Sequence, residues 1–387
     1  MLTRRWRSRL AGASLAMLAM LGGLAAPAQA AAADAIRSNQ QWVLSMLHAD
    51  AAWSATRGAG VTVAVIDSGV NPYVSDLSHS VIVGPDYTGV RTSPASADWG
   101  VHGTWMASLI AGHGHDAGLS GVIGVAPEAR ILSIRVIPDR ADPHYKQYER
   151  EREARIQQSL ADGIRYAVTH GAKVISMSIG YSAPSTAVRK ALLYAYSHGV
   201  VVVASAGNSG SSAGTNHQGQ SPESFPADYP GVISVGAVDP DGNVAGFSSD
   251  NLSVQVAAPG VNVPAQGRDG QYWYVSGTSP ACALVAGVAA LIKSRYPGLT
   301  PDLVAKAMTS TTTDAPPGGY DSQVGFGIVD ATAALAKAGK LAVASRVNVT
   351  ATGVSARAHF GGGPAAVAAE PVRPRGHSSL ILLASWP

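Results

Sequence analysis

Short runs of apolar residues recur along the chain, and segments with helical periodicity separate several of them. The run at 61–66 is almost entirely β-branched and ends at Asp67. A run that is apolar at every position predicts a strand buried on both faces of a parallel sheet, because a half-exposed strand would alternate polar and apolar residues. Similar runs follow at 130–136, 174–179, 200–204 and 232–235.

Helical patterns at 159–170 and 187–198 lie between these predicted strands. Alternation of strands and helices is typical of an α/β fold with a mostly parallel sheet. Gly171 and Gly199 stand just after the two helical patterns. Glycine at this place predicts a left-handed residue that ends the helix.

The N-terminus has the pattern of a secretory signal peptide. Four arginines precede an apolar run at 10–24, and the cleavage signature Ala28-Gln29-Ala30 follows. This order predicts a signal peptide at 1–30 and a secreted protein, with a membrane anchor as the alternative interpretation.

Removal of this segment changes the charge balance. The whole chain has 28 basic and 25 acidic residues, and loss of the four arginines leaves 24 against 25, a net charge of −1. The composition therefore excludes an electrostatic case for a nucleic-acid partner.

The remaining chain divides into three predicted parts. Residues 31–58 are an N-terminal extension, 59–340 the main domain, and 341–387 a flexible tail rich in Gly and Pro. Within the main domain, the charged insertion at 139–155 is interpreted as a solvated loop that leads into a helix, with a partner-docking surface as the alternative. The apolar run at 380–384 is too short to cross a bilayer, which predicts a released protein. Membrane anchoring of a longer natural chain is the alternative.

Asp67 and His102 are two candidate catalytic residues at the ends of predicted buried elements. Asp67 comes directly after a buried strand, at the end of a parallel sheet where functional groups collect. It could instead cap the turn at Ser68-Gly69. The triplet Asp67-Ser68-Gly69 also resembles the active-site triplet of aspartic proteases. Their chemistry needs two carboxylates that share a proton, and no second triplet of this kind occurs in the chain. His102 begins an apolar helix, where it would be a general base or, alternatively, a core histidine.

Ser279 and Asn208 are the other candidates. Pro280 suits the first residue of a helix, which would place Ser279 at the helix N-terminus, where free N–H groups favour an oxyanion. An ordinary N-cap serine is the alternative. Asn208 follows the strand at 200–204 and could donate to that oxyanion or simply form a turn. The sole cysteine, Cys282, excludes an internal disulfide and is interpreted as a small core residue.

The order Asp, His, Ser along the chain is one of the orders known for Ser-His-Asp triads. The chain resembles subtilisin-like serine proteases from about 59 to 336. The motifs that carry this resemblance are Val65-Ile66-Asp67-Ser68-Gly69, His102-Gly103-Thr104, Gly124-Val125-Ala126-Pro127, Met177-Ser178-Ile179-Gly180, Ala258-Pro259-Gly260, Gly277-Thr278-Ser279 and Gly325-Phe326-Gly327-Ile328-Val329-Asp330-Ala331.

The resemblance implies a three-layer α/β/α fold and a secreted serine endopeptidase that forms an acyl-enzyme. In that mechanism Ser279 is the nucleophile, His102 the base and Asp67 its partner, while Asn208 belongs to the oxyanion hole. A protein or peptide substrate would lie extended along Ser178, Ile179 and Gly180, near Ser205, Ala206 and Gly207. No cofactor or metal is expected, although calcium held by carbonyl groups would leave no sequence motif.

Within the family the chain is most similar to the mycosins of type VII secretion. Gln41-Trp42, Leu47-His48 and Trp53 precede the first strand, and no long propeptide is visible. The likeness implies subunits of a secretion complex as partners. It also implies an alternative function, in which the chain mainly stabilises that complex. The chain departs from the family at Ala283, where proline is usual, and at Pro280 and Leu284. Cysteine pairs and a C-terminal anchor, which mycosins usually have, are not seen.

Overall fold

The computed structural model describes residues 33–350, except 117, 151–152 and 211–219. The strands are β1 Thr62–Asp67, β2 Val81–Asp86, β3 His113–His115, β4 Ser120–Ile123, β5 Arg130–Arg135, β6 Val174–Met177, β7 Val201–Ser205, β8 Val232–Val238, β9 Val254–Pro259, β10 Val263–Gln266 and β11 Tyr272–Val275. The helices are α1 Ala33–Met46, α2 Ala49–Ala52, α3 Val101–Ala111, α4 Tyr145–Glu149, α5 Glu153–Thr169, α6 Thr186–Ser197, α7 Thr278–Arg295, α8 Pro301–Thr309 and α9 Ala331–Thr350, with a 3₁₀ turn at Ser75–Leu77.

Seven strands form one parallel sheet in the order β2-β5-β1-β6-β7-β8-β9. β1 lies between β5 and β6, and its last residue, Asp67, pairs with Arg135. The pairs β3–β4 and β10–β11 are antiparallel hairpins outside this sheet. The predicted α/β class with a mostly parallel sheet is confirmed.

Successive residues of the central strands face two different hydrophobic cores. Val63 and Val65 of β1 belong to the core that includes α3 and α7, whereas Ala64 and Ile66 belong to the core that includes α5 and α6. Both faces of the sheet are therefore covered, which explains why the strands are apolar at every position. These layers are the α/β/α arrangement that the resemblance implied.

Both predicted helix ends have the expected backbone. Gly171 and Gly199 follow α5 and α6 with φ of 82° and 73°, in the left-handed region. A side chain would be strained at these positions, so glycine ends both helices without conformational cost.

The predicted solvated loop at 139–155 is only partly solvated, and that expectation is wrong for its first residues. Asp139 and Asp142 are 8% and 3% exposed. Asp142 Oδ2 lies 2.9 Å from Nη2 of Arg135, whose side chain is 1% exposed, and Asp86 Oδ2 lies 2.7 Å from Nη1. A buried guanidinium needs such partners because an unpaired buried charge costs several kcal/mol. The helix α5 also begins at Glu153, before the predicted start at 159.

The N-terminal extension packs against the main domain. Val43, Leu44 and Leu47 are buried in the core that contains α3 and α7. Trp53 Nε1 donates to the carbonyl of Val125 at 2.8 Å. The extension therefore contributes core side chains and is not a separate layer of surface chain.

The chain divides into two compact units between Val343 and Ala344. The predicted domain boundary at 340 falls inside α9, which continues to Thr350. The predicted signal peptide and the rest of the predicted tail, at 351–387, lie outside the described residues. No helix in the described ranges combines the length and the apolar character needed to span a membrane.

Candidate active site

Asp67 is the last residue of β1 and is only 1% exposed. Its Oδ1 accepts a hydrogen bond from the backbone N–H of Ser68 at 2.7 Å. The two carboxylate oxygens lie 2.9 Å and 3.0 Å from Nδ1 of His102. The sequence prediction that these two residues act together is consistent with this geometry, because a buried carboxylate needs partners of this kind.

His102 is the second residue of α3, and one third of its side chain is exposed. The next residue, Gly103, allows α3 to approach the turn after β1, because a Cβ there would lie 2.1 Å from the carbonyl oxygen of Gly69. Because Nδ1 lies against the Asp67 carboxylate, we assign the proton of the neutral imidazole to Nδ1, from which it is donated to Asp67. The Nε2 lone pair is then free to act as a base.

The charge around His102 favours its protonated form. Burial lowers the pKa of His102, but the charge and hydrogen bond of Asp67 and the charge of Asp139 raise it. The raising effects are larger in sum, so the pKa of His102 lies above its ordinary value.

Ser279 lies in the first turn of α7, which begins at Thr278. The prediction that Pro280 is the first residue of this helix is wrong, since it is the third. Proline is still tolerated there, because the first N–H groups of a helix have no partner within the helix. Ser279 is partly exposed, and its carbonyl accepts from the Ser178 hydroxyl at 3.2 Å. In the described contacts, no hydrogen bond joins its hydroxyl to His102, a bond that often forms only with substrate.

Asn208 is exposed just beyond β7, and its amide has a fixed orientation. The Oδ1 atom accepts from both the backbone N–H and the hydroxyl of Thr278, each at 2.9 Å. The Thr278 hydroxyl in turn accepts from the backbone N–H of Gly207 at 3.2 Å. Because Oδ1 is occupied, Nδ2 is the group of Asn208 left to donate. Thr278 was not predicted as a site residue, although it belongs to the Gly277-Thr278-Ser279 motif.

The residues predicted to contact substrate differ in exposure. Gly180 is exposed, Ser178 and Gly207 are partly exposed, and Ile179 is buried. Ser205 and Ala206 are also buried, and the Ala206 N–H donates to the Val235 carbonyl at 3.0 Å. Contact of substrate with Ser205, Ala206 and Ile179, all three buried here, stays a prediction.

Ser224 is a neighbour of this region that the sequence did not indicate. A Cβ on Gly180 would lie 2.5 Å from the Ser224 hydroxyl oxygen, and one on Gly207 would lie 3.4 Å from it. The hydroxyl therefore sits between two glycines of the predicted substrate segments. Nothing in the local sequence Pro222-Glu223-Ser224 distinguishes this serine, since its place depends on the fold.

Cys282 is buried and contacts the Met177 carbonyl at 3.7 Å and the Ser176 hydroxyl at 3.8 Å. Burial raises the pKa of its thiol to about 12, so the group is protonated and unreactive at neutral pH. Among the described residues, no three His, Cys, Asp or Glu side chains are grouped as metal ligands. Calcium bound through carbonyl groups would not form such a group, so the expectation that no cofactor or metal is needed stays a prediction.

Known proteins are similar to this chain in both sequence and fold. The subtilase family profile matches residues 58–327. Subtilisin DY from Bacillus licheniformis is 37% identical over 278 residues, which cover 72% of this chain and 92% of that protein. MycP1 from Mycobacterium smegmatis is 32% identical with a TM-score of 0.65, covering 76% of this chain and 84% of that one. The MycP3 protease of the type VII (ESX-3) secretion system is 33% identical with a TM-score of 0.65, covering 76% and 87%.

Asp67 at the end of β1 contacts His102 on α3, and Ser279 at a helix start follows along the chain, which is one of the orders known for Ser-His-Asp triads. The match to the profile covers most of the chain, and the chain therefore belongs to the subtilase family. It is a subtilisin-like serine endopeptidase that is structurally similar to the mycosins.

We expect kcat/KM to rise with pH along an acid limb whose midpoint lies above the ordinary histidine value of about 6.5. The reason is that the pKa of His102 is raised while its neutral form must accept the proton. The measurement is the pH dependence of kcat/KM for an uncharged peptide substrate. His102→Ala should remove the limb with most of the activity, and a midpoint below the ordinary value contradicts the expectation.

Asn208→Ala is expected to lower kcat by about 100- to 1000-fold with little change in KM, a magnitude measured on subtilisin, a member of the same family. Thr278→Ala should act in the same direction but less, by about tenfold, because it removes one hydrogen bond that orients Asn208. Thr332→Ala, on α9, is the matched control and should leave kcat unchanged. A Thr278→Ala enzyme with the kcat of the control would show that Thr278 does not orient the amide.

Proposed function

We propose that the chain cleaves peptide bonds through Asp67, His102 and Ser279. The Ser279 hydroxyl attacks the scissile carbonyl carbon while His102 Nε2 accepts its proton. The tetrahedral intermediate collapses to an acyl-enzyme when His102 gives that proton to the leaving amine. A water molecule, activated by His102, then attacks the acyl-enzyme in the same way and releases the acid product. The Asp67–His102 hydrogen bonds support this assignment most directly, because they orient the imidazole and stabilise its charged form.

We further propose that Asn208 Nδ2 and the backbone N–H of Ser279 bind the oxyanion. The Ser279 N–H lies in the first turn of α7, where the helix itself offers no acceptor. The positive end of the helix dipole favours negative charge at the same place. The contacts of Thr278 with the Asn208 amide keep the second donor preorganised, which is the property that lowers the barrier.

The substrate in this proposal is an extended polypeptide that lies along Ser178 and Gly180. Extended peptides commonly bind to such an edge as an added strand. The two glycines around Ser224 leave little room between the segments, and the Ser224 hydroxyl faces that space.

For the cellular role, we propose export through the signal peptide at 1–30 and action beside a type VII secretion complex. The similarity to MycP1 and MycP3 supports the second part. The N-terminal extension is packed onto the domain through Trp53 and its neighbours, which supports its being part of the folded enzyme.

The proposed nucleophile is tested by labelling the purified protein with a fluorophosphonate and mapping the modified residue by mass spectrometry. We expect one adduct, on Ser279, and its loss in Ser279→Ala. Labelling should also fall strongly in His102→Ala, because the hydroxyl then lacks its base. An adduct on another serine would show that the proposed triad is wrong.

The structural alternative is tested in the native host by replacing the gene with its Ser279→Ala form. We expect secreted proteins to leave the cell but to lack their processed forms in the culture medium. The matched control is Ser310→Ala, an exposed serine on the surface beyond α8. Full processing with Ser279→Ala would contradict the proposed cleavage of these proteins by this enzyme.

A further inference from the structure

The first turn of α3 carries His102 and is capped by side chains from other elements. The N-cap residue is Gly100, which has no side chain to offer. The N–H groups of Val101 and His102 donate to Oδ2 and Oδ1 of Asp139, each at 2.9 Å. The next N–H, of Gly103, donates to the Ser68 hydroxyl at 3.1 Å. Three N–H groups that the helix cannot satisfy thus have partners outside it.

Asp139 is well suited to this position for a chemical reason. A carboxylate offers two acceptor oxygens side by side, so it can accept from two successive N–H groups at once. Its charge also interacts favourably with the positive end of the helix. Asp139 is 8% exposed and lies in the loop after β5, which contains no other part of the proposed triad.

We propose that Asp139 is a positioning residue of the active site, which fixes the backbone of His102 and adds a second carboxylate charge near the imidazole. The proposal rests on the proposed role of His102 as the base. It gives the loop after β5 a function beyond connecting β5 to α4. It also explains why a carboxylate is buried in a segment that is otherwise rich in exposed charge.

In the part of the chain that the structure describes, three charged groups affect the pKa of His102: Asp67 at the end of β1, and Asp139 and Arg140 in the loop after β5. Burial lowers the pKa of His102, Asp67 and then Asp139 raise it, and Arg140 lowers it. Burial raises the pKa of Asp139 itself, although its hydrogen bonds with His102 and Val101 act in the opposite direction. The adjacent residues Asp139 and Arg140 thus act on His102 with opposite signs.

The experiment compares the pH dependence of kcat/KM in wild type, Asp139→Asn, Arg140→Gln and Ser68→Ala. In Asp139→Asn one oxygen becomes an amide nitrogen that cannot accept, and the charge is lost. We expect kcat to fall about 10- to 100-fold, as for a small misplacement of a catalytic group, and the acid limb to move to lower pH. Arg140→Gln should move the limb to higher pH. Ser68→Ala removes a neutral cap, so kcat should fall without movement of the limb.

The outcomes are distinct. A folded Asp139→Asn enzyme with wild-type kcat, or with the acid limb unmoved, overturns the proposal. Circular dichroism and thermal melting establish whether the variant is folded. If it is not, Asp139→Glu decides, because the longer side chain keeps the charge but displaces the two acceptor oxygens: a lower kcat with the limb unmoved supports the proposal, and a wild-type kcat overturns it. Failure of the proposed function itself would be seen separately, as wild-type labelling at a residue other than Ser279.

Discussion

The parallel register of β1, β6 and β7 is the constraint on which the site depends. Because parallel strands all end at the same edge, Asp67, Ser178 and Asn208 follow three neighbouring strands and lie along one side of the sheet. The helices α3 and α7 pack on the same face of that sheet, and their first turns carry His102 and Ser279. Residues that are far apart in the chain are thus brought together by strand order and by the packing of these two helices.

Strand order places the residues near one another, but hydrogen bonds to buried groups fix their orientation. The carboxylate of Asp67 orients His102, and Thr278 orients Asn208. Each of these partners lies in a different element from the residue that it orients. Hydrogen bonds from neighbouring elements hold these two side chains in place, and donors with a fixed orientation stabilise a transition state better than mobile ones.

The sequence was informative where one physical signal dominates. The central strands are buried on both faces, and their continuous apolar runs predicted them within a few residues. The outer strands β2 and β9 were not predicted: β2 is interrupted by Gly84-Pro85, and β9 ends in Ala257-Ala258-Pro259. The candidate residues Asp67, His102, Asn208 and Ser279 were identified because they lie in motifs at strand or helix ends.

Other features depend on contacts between distant segments, and the local sequence does not encode them. Asp139 stands in a charged stretch and was interpreted as solvated, yet it is buried because its partners come from α3. Ser205 and Ala206 were predicted to contact substrate, and both are buried at and just beyond the end of β7. Ser224 lies beside the predicted substrate segments only because the fold brings Gly180 and Gly207 close to it.

The most direct test of the account is a crystal structure of the enzyme inactivated by a peptidyl phosphonate. The account predicts phosphorus bonded to Ser279 Oγ, a phosphonyl oxygen within hydrogen-bond distance of Asn208 Nδ2, and the peptide extended beside Ser178 and Gly180. A phosphonyl oxygen directed away from Asn208, or a peptide that leaves the edge at Gly180, would contradict it.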